Sequence, residues 1–407
     1  MNSGDIAWVL AATGLVMIMT PALGFFYGGL VRRKNLLSTI IQCMTIFALV
    51  SLIWAFWGYS LAFGPSIGGG VLGDLSKVGL NGVGAAANTV YTNAIPELLY
   101  FAFQLKFAAI TPALIIGAFA ERIRFKALLI FIVLWTTIIY APIAHWVWGD
   151  GGWLKNLGVI DFAGGLVVHL SAAMSAVAAA LVIGRRKDFE QSREFRPNNI
   201  PFVILGAAIL WFGWFGFNAG SALAADEIAV QALVNTNLAA AAGAVSWMFF
   251  DWSRKGKPSA VGIAVGAVCG LVAITPAAGY VSAMPAIIIG LVVGVVSNYV
   301  ASLRARTRLD DSLDVFAAHG AGSIWGVLAT GLFASTAINA AGPNGALFGN
   351  PGLLGLEAFG LLVVGAVAFF GSYALLKAIN VFTPVRVTAE EEETGLDMSE
   401  HGEAAYA

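Results

Sequence analysis

Two stretches of this chain carry chemically capable residues at the same spacing. One reads Asp161-Phe-Ala-Gly-Gly-Leu-Val-Val-His169 and the other Asp311-Ser-Leu-Asp-Val-Phe-Ala-Ala-His319. In each, an aspartate at the mouth of an apolar run precedes a histidine by eight residues. An aspartate there accepts hydrogen bonds from the unpaired N–H groups of a helix start. It can equally orient a cation site from behind. Eight helical residues rise about 12 Å, so from either face of a hydrocarbon layer ~30 Å thick each histidine ends near the middle. A neutral imidazole has one donor and one acceptor, so two rings in contact can pass a proton between nitrogens. The plainer alternative is a satisfied pair that only pins helices. Ionisable groups at membrane depth are costly and more often mark a path.

The elements that must position these residues are membrane-spanning helices. The chain has 407 residues, 59% of them hydrophobic and 11% charged, with a mean hydropathy of +0.83. Soluble domains average roughly 25% charged residues, so this chain lacks the polar side chains to coat a water-facing surface of its own. A spanning helix needs ~20 mostly apolar residues. Eleven stretches qualify, at about 6–31, 36–63, 97–120, 126–147, 161–184, 199–220, 235–252, 259–279, 283–303, 314–336 and 354–380. The first is read as a retained span and not a signal peptide, because Asp5 is the only charge before Arg32. Gly262, Gly266 and Gly270 fall on one helix face, where backbones can approach closely. Cys43 and Cys269 lie in apolar segments and form neither a disulfide framework nor a metal pair.

Basic residues orient the array. All of the 22 Lys and Arg except Lys77, Lys106 and Lys155 fall on alternate loops or near the C-terminal tail. Such loops face the cytoplasm. The expected fold class is therefore an all-α membrane protein with the N-terminus outside and the C-terminus inside. The Asp…His echo lies in span five, running inward, and in span ten, running outward. That implies inverted five-helix halves around a midplane site, at 5–184 and 199–336. An extra helix at 354–380 completes a transmembrane domain over 1–384, and 385–407 is a cytosolic tail.

Further motifs accompany the echo. They are Gly24-Phe25-Phe26-Tyr27, Ala108-Ala-Ile-Thr111, Ala120-Glu-Arg122, Gly213-Trp-Phe-Gly-Phe-Asn-Ala-Gly-Ser221 and His319-Gly. Together, in this order, they resemble the ammonium transporter branch of the Amt/Rh family over essentially the whole chain. The resemblance implies a homotrimer in the plasma membrane with one pore per subunit. It implies that Trp148 and Ser221 form an outer recruitment site for ammonium (or its analogue methylammonium), with Phe103 and Phe107 at and just below it. Phe107 and Phe217 would be the stacked gate, His169 and His319 the pore histidine pair, and Asp161 the charge near the site. It also implies an ordered tail that docks a PII-type regulator. No cofactor or metal is implied.

Each assignment has a simpler counterpart. Taken alone, Trp148 is an interfacial belt residue, Phe103 and Phe107 are packing, and Ser221 is a helix-end hydroxyl bonded locally. Lys106, inside span three, departs from the family's neutral residue. It either snorkels or faces a subunit contact, or it alters cation access at the vestibule. The acidic run Glu390 to Glu393 is by itself a solvated charge run. A sensor with the same pore, and an electroneutral ammonia channel, are the rival functions. No nucleophile–base triad, metal-ligand cluster or phosphate loop points to an enzyme.

Overall fold

In a computed structural model of the protein, which describes residues 1–187, 189 and 196–406, the chain is predominantly helical. Among the described residues ten helical segments are long and apolar enough to cross a membrane. They are α1 (Ser3–Leu30), α2 (Arg33–Phe63), α3 (Glu97–Phe119), α4 (Phe125–Leu157), α5 (Gly165–Ile183), α6 (Ile200–Ala222), α7 (Glu227–Lys255), α9 (Ala283–Arg304), α10 (Phe316–Phe333) and α11 (Pro351–Phe382). A shorter apolar helix, α8 (Ala260–Ile274), stands where the sequence predicts a span over 259–279. It stops early because Pro276 has no N–H to donate to the Val272 carbonyl, and Thr275 caps the end in helical backbone. Helix α7 instead begins before the expected 235. Asp226 caps it, its Oδ1 accepting from Ala229 N at 2.9 Å. The polar Asn235 is tolerated because its amide donates to the carbonyls of Ala278 and Val281.

The helices are not uniform rods. α1 breaks at Ile18, between Ser3–Met17 and Met19–Leu30, where Pro21 cannot donate to the Met17 carbonyl. α4 is interrupted by a turn at 149–152. Wider π-type turns occupy Gly165–Leu170 in α5 and Phe316–Gly320 in α10, and each holds one of the two histidines. Such turns displace side chains and often occur at functional sites.

Contacts repeat between the two halves. α2 packs on α3 as α7 packs on α8, and α3 packs on α5 as α8 packs on α10. α1 packs on α6, and the helix following each histidine packs on the other histidine's π turn. The glycine face of α8 meets α7 directly. A Cβ on Gly266 would lie 2.6 Å from Trp247 Cβ, and one on Gly270 would lie 2.2 Å from the Ala239 carbonyl oxygen.

The tail folds back on the chain that carries it. It forms α12 (Ala389–Thr394) and α13 (Leu396–His401). Three members of the acidic run form ion pairs: Glu391 with Arg124 at 2.8 Å, Glu392 with Arg386 at 2.7 Å and the exposed Glu393 with Lys187 at 2.6 Å. Asp397 caps the start of the helix at Leu36, accepting from Leu37 N and Ser38 N. Arg122 explains one motif in structural terms. Its guanidinium donates to the carbonyls of Ala118, Ala120, Gly184 and Asp310 and to Ser312, so it ties together three loops on that face.

Candidate functional site

The cup begins with α3, whose one-residue-per-100° winding puts Phe103, Gln104 and Phe107 on one face. Together with Tyr91, Tyr100, Trp148, Phe162 and Ser221 they line a cavity of about 180 Å³. Its floor is aromatic. Phe107 meets Phe103 edge-on with centroids 5.0 Å apart, and meets Trp148 at 5.9 Å and 88°. Beneath, Phe107 and Phe217 close together, their centroids 4.3 Å apart.

The polar groups of the cup are set to accept. Ser221 donates its single hydroxyl proton to the Phe217 carbonyl at 2.8 Å, which leaves its oxygen lone pairs for a donor in the cavity. Gln104 donates to Tyr100 through Nε2, while its Oε1 is buried without a partner among the described residues. Lys155 stands on the rim, its Nζ 3.4 Å from the Trp148 carbonyl.

Below Phe217 the path reaches the histidines. The His169 ring stacks on Phe217 (5.9 Å, 27°) and on Trp214 (5.4 Å, 21°). His169 Nδ1 and His319 Nδ1 are 3.3 Å apart. Only one nitrogen of that contact can carry the proton at a time. His169 Nε2 is buried and has no partner among the described residues.

Asp161 does not line the cup. Its carboxylate accepts four backbone N–H groups, from Gly164, Gly165, Leu166 and Val167, at 2.7 to 3.1 Å. It therefore acts as the N-terminal anion of α5, the capping role its spacing suggests. Asp311 repeats the device at α10, accepting from Val315 N and Phe316 N. Asp161 still touches the site through its backbone, because its carbonyl receives Trp148 Nε1 at 2.8 Å.

Seven of the eight candidate residues thus form one run of contacts from the cup to the histidine pair, and Asp161 stands behind it. Lys106 does not join them. Its Nζ lies 5.1 Å from the centroid of the Phe47 ring on α2, and it is absent from the cup lining. Sequence reasoning missed Gln104, Trp214 and Phe162. Gln104 was findable as the one amide in its span, set between two phenylalanines on the same face. Trp214 and Phe162 carry no such signal, since aromatic residues in apolar runs are ordinary core.

The helical membrane architecture, the aromatic cup of acceptors, the ring constriction and the buried histidine pair define a membrane-transport class of protein. The chain belongs to the Ammonium Transporter Family, whose model matches residues 7–406. It is 46% identical to an ammonium transporter of Bacillus subtilis, over all of this chain and 99% of the relative. It is 45% identical to ammonium transporter Amt1 of Archaeoglobus fulgidus, over the full length of both. Among solved structures it resembles Mep2 of Saccharomyces cerevisiae, with a TM-score of 0.90, 36% identity and 96% of this chain and 88% of that one covered. A structure described as a sensor Amt protein is similar with a TM-score of 0.90, at 30% identity and 98% coverage of each chain.

Proposed function

We propose that this protein carries ammonium across the plasma membrane as ammonia, with the proton linked through His169 and His319. The observation that carries the proposal is the sequence of environments along one path: acceptors and ring faces, then two phenylalanines, then two bonded imidazoles. A ring face attracts a cation by ~2 kcal/mol or more once desolvated. Ammonium also donates hydrogen bonds, and Ser221 Oγ is placed to accept one. Potassium cannot donate, so the cup favours ammonium over it.

An intact cation passing an apolar constriction loses its hydration at great cost. Loss of the proton in the cup removes that cost, and neutral ammonia passes when the Phe107 and Phe217 rings swing apart. The histidines then offer ammonia hydrogen bonds, and their Nδ1 contact offers the proton a parallel route. In this reading the fold comprises eleven spans, counting α8. They form two inverted five-helix halves plus α11, with the N-terminus outside and the tail in the cytoplasm. The working unit is a homotrimer, and the ion-paired tail is the docking face for a PII-type regulator.

The test is electrical. Purified protein in liposomes on a solid support is pulsed with ammonium, with potassium as control. The expected result is a current that depends on ammonium and not on potassium. Ammonia flux without current, read by an internal pH dye, would replace the proton-linked mechanism with an electroneutral channel. Neither current nor flux would favour the sensor reading, which the sensor Amt likeness already supplies.

A further inference from the structure

Helix α11 lies outside the repeated halves, yet it holds a carboxylate in the apolar interior. Glu357 is fully buried. Its Oε1 accepts from Ile160 N at 2.9 Å, and its Oε2 has no partner among the described residues. A carboxyl that removes so little of its own desolvation cost is not explained by stability. A leucine there would pack without it.

The partner identifies the role. Ile160 lies in the irregular segment 158–164, between the end of α4 and the start of α5. Three parts of the outer site hang on this segment. The Asp161 carbonyl fixes the indole of Trp148. The Asp161 carboxylate gathers four N–H groups of α5. Phe162 forms part of the cup wall, its own N–H donating to the Pro276 carbonyl at 3.1 Å. On its other side Glu357 is backed by α10, where a Cβ on Gly331 would lie 3.3 Å from Glu357 Cγ. The carboxyl group is thus wedged between a close-packed helix and the segment it holds.

We infer that Glu357 is a positioning residue for ammonium recruitment: through its bond to Ile160 N it sets the place of Trp148 and Phe162 in the cup. The inference rests on the transport reading above. It assigns to α11 a part in substrate affinity, and it requires an acceptor oxygen at that point, not a charge.

The experiment measures ammonium-evoked current in proteoliposomes against concentration, for wild type and the variants Glu357→Leu, Glu357→Gln and Glu357→Asp. Wild type must first give a saturable current. Its absence sinks the proton-linked reading, and this inference with it. Given that current, Glu357→Leu is expected to raise the half-saturating concentration roughly tenfold, with the maximal current per protein within about twofold of wild type. Glu357→Gln keeps the acceptor and is expected to match wild type. Glu357→Asp, whose acceptor is withdrawn by one methylene, is expected to fall between them, and it carries the test if the leucine variant does not fold. A merely structural role would lower maximal current and melting temperature while leaving half-saturation unmoved, which overturns the inference. So would a glutamine variant that behaves like leucine, because charge and not the acceptor would then matter.

Discussion

At the scale of single residues, the cup works by what its hydroxyl and amide groups have already given away. Ser221 has used its proton on Phe217 O, so Ser221→Ala removes from the cavity an acceptor and no donor. A hydrogen bond to a charged group contributes about 1.5 to 3 kcal/mol. Ser221→Ala is therefore expected to raise the half-saturating ammonium concentration at least roughly tenfold, with melting temperature unchanged, as read from transport current and a thermal melt. Asp161 behaves in the opposite way. Removing its carboxylate strands four buried N–H groups, each worth about 1 to 3 kcal/mol. Asp161→Ala is expected to lose several kcal/mol of stability on those figures, and Asp161→Asn less, in detergent unfolding. The two histidines and Asp161 were legible in sequence because polar residues inside apolar runs stand out. Gln104 carries the same signal more faintly. The roles of Trp148, Phe103 and Ser221 came through family resemblance, since belt, core and capping explanations fit those residues equally well.

At the scale of elements, close backbone approach sets the limits. The expectation of a tight glycine face on α8 holds: a Cβ on Gly270 would sit 2.2 Å from a carbonyl oxygen that cannot move without breaking α7. Gly270→Ala is expected to cost about 1 to 3 kcal/mol, the usual range for overpacking, in thermal stability of the purified protein. Among the basic loops the ion pairs predict a pH dependence. Burial pushes Asp310 up, but the Arg186 hydrogen bond and the charges of Arg122 and Arg186 outweigh it and hold the carboxyl below its ordinary 3.8. The stability it contributes is complete above 3.8 and is lost as pH falls through the lower folded value. Asp310→Asn should therefore melt earlier than wild type at pH 7, with the gap closing in strong acid. Helix existence was read well from hydropathy. The ends of α7 and α8 were not, because they are set by the Asp226 cap and by Pro276, which window averages blur. The tail's acidic run, solvated on charge pattern alone, is tied down at Glu391 by Arg124 from another loop and at Glu392 by Arg386 from the tail itself.

At the scale of the whole molecule, the basic loops and the two-stranded turn of Ser66–Ile67 with Leu72–Gly73 lie on what the charge pattern assigns to opposite sides of the membrane. A single cysteine placed at Gly69 is expected to react with an impermeant maleimide added to intact cells, and one at Arg308 only after permeabilisation. Both native cysteines are buried and should stay silent. The reverse pattern would invert the topology and with it the direction of uptake. The repeat was visible in the sequence because the Asp…His spacing recurs. Its physical consequence, that each histidine's helix braces the other's π turn, was not, because π turns leave no hydropathy signature.

The contact between the two imidazoles also has a memory. With both rings neutral, the shared Nδ1 proton belongs to one ring, and the far nitrogens are then bare on that ring and protonated on the other. A proton relayed through the pair enters at the bare end, leaves at the other, and turns every bond around behind it. The pair is left in mirror image and cannot pass a second proton the same way until it is turned back. Trp214, Phe217 and His319 all crowd the His169 ring, their centroids 5.4 to 5.9 Å from its own, so resetting by ring rotation is obstructed. The reset must then come from hydrogen-bonded species arriving at the outer nitrogens. On this account the molecule counts: one charge, one reversal, one reset.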